Sequence, residues 1–218
     1  MSVAKKPVKY SLVDTYTELV FKGNPAAVCF LEEERHSKWL QSVAAEFNLS
    51  VTCYISRIIE SHHNLNSNGT SSPRFSLRWF AAVTEISLWG HATLAAAYTS
   101  VKSLVYGEGI CHHPYFRMDP PYLGILVSGI APPGSGFDFY SRFFAHNLGS
   151  MSSFQDPVCG GAYFALAPYW SKKLGKFDFN AYQASTRGRV LKIHLDEQNQ
   201  RVVLRGNAVT VMEGCVLV

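Results

Sequence analysis

Two segments of the chain repeat one pattern, in which an aromatic stretch and a turn are followed by a small-residue helix that begins at a glycine. The stretch 78–81 precedes a helix that begins at Gly90, and the similar stretch 142–145 precedes a helix that begins at Gly160. The first N–H groups of a helix have no partners within it and lie at the positive end of its dipole, so a helix start attracts anions. Two starts that face each other would bind a small carboxylate between two similar halves. The repeat therefore predicts a small-molecule site at an interface between lobes.

Four side chains near these starts or in turns are candidates for proton transfer or ligand contact, and each also has a structural interpretation. His91, at the first helix start, either contacts a ligand or serves only the helix terminus. Asp156 precedes a proline and can cap the turn, contact a substrate, or do both. Cys159 lies directly before Gly160, where a helix start would lower the pKa of its thiol for acid–base chemistry, unless that thiol is buried and inert. Asn24 follows a glycine and either shapes the turn or contacts an anion.

The composition excludes several classes of protein. Hydrophobic residues make up 47% of the 218 residues, which is enough for a packed core, and the net charge of +4 is small. The basic residues do not cluster, so we expect no nucleic-acid binding. The apolar run 122–131 contains two glycines and is too short to cross a bilayer, so we expect no membrane partner. The five scattered cysteines indicate reduced thiols in a cytoplasmic protein, and the cluster 111–113 lacks a second group to complete a metal site.

The spacing of the apolar residues predicts an α+β fold, in which short strands surround isolated helices. The predicted elements are a hairpin of 10–13 with 26–31, a helix over 32–47, strands 51–55 and 75–80, helices over 91–105 and 160–170, a strand over 137–145, a hairpin of 190–195 with 202–204, and a last hairpin of 209–212 with 215–218. Between residues 106 and 136, glycine and proline interrupt almost every stretch, so we expect a long segment with little regular structure.

Eight short stretches resemble the phenazine-biosynthesis PhzF-like family, whose members are related to diaminopimelate epimerase. They are 21–28, 48–50, 77–80, 90–95, 141–145, 156–158, 183–185 with 187–188, and 208–211, and they run in the family's order over most of the chain. The resemblance implies two similar lobes, each a sheet wrapped around a central helix, with a cleft for an acidic substrate between them. It also implies an isomerisation that moves a proton between carbons and needs no metal or organic cofactor.

The resemblance carries roles over to single positions. His91 and Asp156 match the family's substrate-contacting histidine and aspartate, and the family's catalytic glutamate falls at Val51, which cannot accept a proton. Trp89 occupies a position where the family usually has cysteine, and Gly161 one where it usually has serine. The predicted catalytic positions are therefore Val51, His91 and Asp156, and the predicted substrate- or anion-binding residues are Asn24, Gly90, Cys159, Gly160 and Gly161.

The family also has tens of residues before the strand 141–145 that this chain lacks, so the second lobe is expected to be incomplete. We expect a first lobe over 1–105, an irregular join over 106–136, a truncated second lobe over 137–207, and C-terminal strands 208–218 that return to the first lobe. The resulting hypothesis is a cofactor-independent isomerase of a small acidic metabolite. The alternative, motivated by Val51, is a catalytically inactive homologue that binds a ligand or a protein; a homodimer is left open.

Overall fold

The computed structural model of the chain describes residues 6–58, 74–102, 110–114, 125–144 and 155–217. The strands are β1 Val8–Thr15, β2 Asn24–Leu31, β3 Thr52–Arg57, β4 Phe75–Phe80, β5 Glu85–Ile86, β6 Ile110–Pro114, β7 Ile125–Ile130, β8 Phe139–Phe144, β9 Asp178–Gln183, β10 Val190–Asp196, β11 Arg201–Arg205 and β12 Ala208–Val216. The helices are α1 Ser37–Phe47, α2 Gly90–Lys102 and α3 Tyr163–Leu174, and a 3-10 turn, Gly160–Ala162, leads directly into α3. The predicted α+β class is confirmed.

These elements form two six-stranded sheets, one in each lobe. The order in the first sheet is β12-β1-β2-β3-β4-β5, and the order in the second is β6-β11-β10-β9-β8-β7. The pairs β2–β3 and β8–β9 are parallel, and the chain crosses over through α1 and α3 respectively, because a parallel connection must return to the same end of the sheet. The predicted hairpins β1–β2 and β10–β11 are confirmed.

The first sheet carries an apolar layer on each face. Successive side chains of a strand point to opposite faces, so Val28 and Cys53 pack toward α2, while Cys29 and Tyr54 pack toward α1. On another side of α2, Leu94 belongs to the core of the second lobe, which the second sheet encloses together with α3. The helix α2 is therefore shared by the cores of both lobes.

The first helix is shorter than predicted, because it begins at Ser37 rather than at residue 32. The imidazole of His36 accepts a hydrogen bond of 3.2 Å from the Lys38 N–H and so satisfies one of the unpaired donors of the first turn. At the other end, Asn48 adopts the left-handed conformation and closes the helix. The run of glutamates before His36 lies outside the helix.

The described part of the segment 106–136 is more regular than predicted, because it contains β6 and β7. Each of the two strands lies at an edge of the second sheet, where β6 pairs with β11 and β7 pairs with β8. An edge strand tolerates proline at its end and glycine within it, since only one of its sides joins the ladder. Residues 106–109 and 115–124 of the predicted irregular segment lie outside the described residues, as do residues 103–105 of the predicted helix over 91–105.

The predicted hairpin at the C-terminal end is wrong, because β12 is one continuous strand that pairs with β1 in the first sheet. Gly214, taken for a turn residue, instead provides space for a neighbouring ring: a Cβ there would lie within 2.9 Å of Tyr10. The register of the two strands shifts by one residue between Leu12 and Val13, where β12 has one residue more than β1, as in a β-bulge. In the described part of the chain, no helix combines the length and the apolar character needed to cross a membrane.

Candidate functional site

The structure brings the two glycine-initiated helix starts together at the boundary of the lobes. A Cβ built on Gly90 would lie 3.9 Å from the backbone nitrogen of Gly161 and 4.0 Å from the Cα of Gly160. The start of α2 therefore faces the 3-10 turn that opens α3. The first N–H groups of a helix are not paired within it, so two neighbouring starts are a place that favours a bound anion.

Asn24, the first residue of β2, connects the two lobes at this place. Its side chain is fully buried, and Nδ2 donates hydrogen bonds to Asp156 Oδ1 at 2.8 Å and to the Val158 carbonyl at 2.9 Å. The same nitrogen lies 3.2 Å from His91 Nδ1. The Oδ1 atom of Asn24 is buried and has no hydrogen-bond partner among the described residues. The two N–H bonds of this amide are shared among the three neighbours, so it joins the second lobe to His91, and its oxygen remains an unused acceptor.

His91 is a neutral hydrogen-bonding group in this arrangement. The side chain is 1% exposed, and burial lowers its pKa to about 3, although a hydrogen bond to the Pro25 carbonyl partly opposes that effect. Nδ1 faces an NH₂ group, which can only donate, so the network places the ring proton on Nε2. Nε2 lies 3.4 Å from the hydroxyl of Ser50. At neutral pH the ring therefore has no proton to release as an imidazolium.

Asp156 carries the titratable group best suited to proton transfer. Burial raises the pKa of its carboxyl to about 7, and hydrogen bonds from the Val158 N–H and the Asn24 amide oppose this shift. The Asp156 residue is only partly buried. Gln183 fixes the local backbone, because its Nε2 donates to the Asp156 carbonyl at 2.7 Å and its Oε1 accepts from the Cys159 N–H at 2.8 Å. A group with a pKa near 7 can both accept and release a proton under physiological conditions.

Cys159 matches the second of its two predicted alternatives, a buried and inert thiol. Burial raises the pKa of its thiol well above the ordinary value, and the nearby Asp156 carboxyl adds to the increase. The N–H groups of Ala162 and Gly161 at the helix start lower the pKa, as the sequence predicted, but their effect is the smaller one. The thiol is therefore protonated and unreactive at neutral pH.

Val51 lies in the core of the first lobe. Its side chain is completely buried in the apolar layer between the first sheet and α2, where Val13, Val28 and Ala92 belong to the same cluster. Its backbone carbonyl accepts a hydrogen bond of 3.3 Å from the Ala27 N–H. Residue 51 is thus a core residue in this chain and takes no part in proton transfer.

Trp89, which sequence analysis placed at the junction, lies edge-on to the imidazole of His91 with 6.0 Å between ring centroids. It also packs against the apolar layer that contains Val51. The indole therefore helps to bury His91.

Two contributors to the site were not predicted. Gln183 lay within a stretch used for the family resemblance, yet its role as a bridge between Asp156 and Cys159 depends on a fold that brings β9 under the helix start. Tyr16 is a buried residue with a positive φ of 60°, and its hydroxyl lies against Gly160 so closely that a Cβ there would be 2.6 Å away. A lone tyrosine after a strand gives no sequence signal for such a contact.

A second set of contacts fastens the lobes beside the site. Arg187 donates to Asp14 Oδ1 at 2.8 Å and to the Gly23 carbonyl at 3.0 Å, while the Gly23 N–H donates back to the Arg187 carbonyl at 2.9 Å. The Asp14 side chain is 2% exposed and that of Arg187 33%. Burial raises the pKa of Asp14, and the Arg187 guanidinium opposes that increase. The turn that carries Asn24 is therefore held against the second lobe by a charged pair.

Comparison with known proteins identifies relatives across most of the chain. A sequence profile described as phenazine biosynthesis-like protein matches residues 13–113 and 112–214. An uncharacterized isomerase of Halalkalibacterium halodurans is 32% identical over 278 aligned positions, which include 94% of this chain and 97% of the relative. The human phenazine biosynthesis-like domain-containing protein is 30% identical over 287 positions, with 93% and 96% of the two chains covered. A crystal structure of a PhzF-family protein from Enterococcus faecalis superposes with a TM-score of 0.76 at 27% identity, over 98% of this chain and all of the other.

The alignments also show that these relatives contain residues that this chain lacks. The 278 and 287 aligned positions both exceed the 218 residues of the chain, so the relatives have insertions of tens of residues with respect to it. The two matches to the family profile meet at residues 112–113, within β6.

Proposed function

Because the chain belongs to the phenazine biosynthesis-like family and has its epimerase-like fold, we propose that it binds a small acidic metabolite between its lobes and isomerises it without a cofactor. The observation that carries the proposal is the position of Asp156. Its carboxyl has a pKa of about 7, is partly buried, and lies in a hydrogen-bond chain with Asn24 and His91 beside two facing helix starts.

In the proposed reaction, the substrate carboxylate lies against the N–H groups at the starts near Gly90 and Gly161. The Asp156 carboxylate removes a proton from a neighbouring carbon, and the electron pair of the broken C–H bond is delocalised toward the substrate carboxylate. The helix N–H groups stabilise the negative charge that develops there. Asp156 then returns the proton to another carbon of the same delocalised system, so the product is an isomer of the substrate and the enzyme is unchanged.

Solvent-deuterium incorporation tests this function. The chain is incubated in D₂O with a panel of small unsaturated carboxylic acids, and mass gain is measured. Because loss of a general base typically costs ~10²–10⁴-fold, Asp156→Asn should reduce exchange by about that factor while it preserves the shape of the side chain. Asp178→Asn, on an exposed part of β9, is the matched control and should exchange like the wild type. Equal exchange by the Asp156 variant would refute the assignment.

A second candidate function is ligand binding without turnover, and the buried position of Val51 favours it. Resemblance to the family places a catalytic glutamate at this position, and here the position is filled by an apolar side chain. Under this alternative, small acids that co-purify with the protein or bind in calorimetry would show no deuterium incorporation at any pH. Binding with exchange supports the isomerase, and binding without exchange supports the inactive homologue.

A further inference from the structure

A cavity of about 680 Å³ lies between the turn after β1 and the sheet of the second lobe, and its lining does not include Asn24, His91 or Asp156. One wall is the turn that follows β1, with Tyr16 and Thr17, and the other wall is the outer end of β10 and β11. Three basic side chains line this cavity, here called the basic groove: Arg189, Lys192 and Arg205. Pockets that bind small molecules typically have volumes of ~300–1,000 Å³, so the basic groove has the size of a ligand site.

Two of the three basic side chains, Lys192 and Arg205, repel each other and so destabilise the protein when no ligand is bound. Lys192 and Arg205 lie directly opposite each other in the antiparallel register of β10 and β11. Like charges in this arrangement repel and destabilise a sheet. Both side chains are exposed, and neither forms an ion pair within the part of the chain that the structure describes. An anion that binds between the two side chains reduces this repulsion.

The third basic side chain also has capacity left for a ligand. Arg189 makes two long contacts, each of 3.4 Å, to the Thr17 hydroxyl and to the Gly188 carbonyl. Among the described residues, Glu18 is the acidic side chain that lines the groove, and it accepts a hydrogen bond from the Asn207 amide. Guanidinium donors therefore remain available in the groove, and its net charge is positive.

The acids on the neighbouring surface, Asp138 and Asp178, line a separate cavity together with Lys192 and Arg205, and each has a partner of its own. Asp138 forms an ion pair with Lys176 at 2.5 Å, and Asp178 lies 2.9 Å from His194.

We infer that the basic groove is a binding site for a small phosphate-bearing molecule, distinct from the site around Asp156. Arginine fits phosphate through paired donors, and lysine adds a point charge, so two arginines and one lysine match a multivalent oxyanion better than a monocarboxylate. Tyr16 lines the groove, and its hydroxyl lies against Gly160 at the candidate site. A ligand in the groove would therefore lie beside the side chain that packs against the second helix start.

Thermal unfolding and calorimetry with inorganic phosphate, glucose 6-phosphate and acetate test the inference. The two phosphate compounds should raise the melting temperature of the wild type more than that of the variant that lacks Lys192 and Arg205. Acetate at the same ionic strength, which can also bind at the helix starts, should shift the two proteins equally. The variant Lys192→Ser with Arg205→Ser should weaken phosphate binding about tenfold or more, which is about 1.4 kcal/mol. The control Lys172→Ser with Lys173→Ser removes two exposed charges from α3 and should bind like the wild type.

The stability of this double variant without ligand shows whether Lys192 and Arg205 serve ligand binding or folding. Without phosphate, the Lys192–Arg205 double variant should be at least as stable as the wild type, because it removes a repulsion. Tighter binding of the sugar phosphate would identify a phosphorylated metabolite as the ligand class, and equal binding would identify free phosphate.

Amide resonances locate the bound anion. Binding in the groove should shift Gly206 and Asn207, whereas binding at the helix starts should shift Gly90 and Gly161. Shifts confined to the second pair, or equal weakening by the control variant, would overturn the inference and leave the proposed function intact.

Discussion

Asn24 and Asp156, which are 132 residues apart in sequence, are joined across the lobe boundary by a 2.8 Å hydrogen bond. The same Asn24 nitrogen approaches the ring of His91, so one amide links a carboxyl whose pKa is raised to a histidine whose pKa is lowered. Burial is the main cause of both shifts, and it favours the neutral form of each group. The pair therefore leaves opposite signatures in the pH dependence of stability.

The first prediction uses those signatures. Between about pH 4 and pH 6.5, folded Asp156 holds a proton that the unfolded chain releases, while folded His91 lacks a proton that the unfolded chain binds. The two effects cancel in the wild type. In Asp156→Asn only the histidine remains, so the free energy of unfolding should rise with pH by up to about 1.4 kcal/mol per pH unit. In His91→Gln it should fall with pH through about 7, as Asp156 loses its proton.

Urea unfolding at pH 4.5, 5.5 and 6.5 gives the free energy of unfolding and so measures these slopes. A slope of about 1.4 kcal/mol per pH unit corresponds to a difference of about one bound proton between the folded and unfolded chains. The wild-type curve serves as the internal control, because both groups are present in it. Parallel pH profiles in the two variants would show that the groups titrate alike in the folded and unfolded chains.

The second prediction concerns the contact between Gly160 and Tyr16. Gly160→Ala places a Cβ 2.6 Å from the tyrosine hydroxyl and should cost about 1–3 kcal/mol, as overpacking does in other cores. In a Tyr16→Phe background the obstructing oxygen is absent, so the same substitution should cost less. Gly161→Ala is the matched control, since a Cβ there meets nothing within 4 Å.

Equilibrium unfolding of the four members of this double-mutant cycle gives the coupling energy. Additive effects of the two substitutions would mean that the hydroxyl is not what keeps residue 160 small.

The third prediction concerns Val51. Val51→Glu introduces a carboxyl into an apolar layer, and burial of a polar group without a partner costs roughly 1–3 kcal/mol even when it is neutral. We expect the variant to lose at least that much stability at pH 7 and to recover part of it in acid, where the carboxyl is protonated. Val51→Leu, which is apolar and slightly larger, is the comparison. Equal stability of the glutamate and leucine variants at pH 7 would place residue 51 in a polar or hydrated environment.

The fourth prediction concerns the charged pair between the lobes. Arg187→Ala leaves the nearly buried Asp14 carboxylate without its partner and should destabilise the protein by about 1–3 kcal/mol. It should also raise the pKa of Asp14, because the guanidinium is what lowers it in the wild type. Arg201→Ala removes an exposed arginine from β11 and should change stability little. NMR titration of the Asp14 carboxyl, with chemical denaturation, checks both parts; an unchanged Asp14 pKa would contradict the electrostatic role.

Much of the fold could be predicted because its signals are local. The hairpin β1–β2 follows from alternation around a turn of glycine, asparagine and proline, and α2 follows from small residues after Gly90. The predicted C-terminal hairpin was wrong because the glycine at position 214 does not form a turn. Residue 214 has no side chain because the ring of Tyr10, on another strand, occupies the space that a Cβ would need. A glycine required by a turn and a glycine required by a close neighbour look the same in the sequence, and only the three-dimensional structure distinguishes them.

For the candidate site, too, local features could be predicted from the sequence and tertiary contacts could not. The stretches containing Asn24, His91 and Asp156 could be recognised, but the hydrogen bonds that join these side chains depend on how two lobes meet. The pKa of Cys159 could not be predicted, because a helix start and burial act in opposite directions and the sequence does not show which is larger. The structure shows that burial is larger.

The pairing of β12 with β1 has a consequence for how the chain folds during synthesis. Val8 lies opposite Val216, and the register continues to Thr15 opposite Ala208. The ribosome delivers residues in order, so β1 emerges early and remains without this neighbour until nearly the whole second lobe has been translated. Until then the backbone donors and acceptors on that side of β1 are open to other strands. During this period the nascent chain is most prone to mispair and to be bound by chaperones.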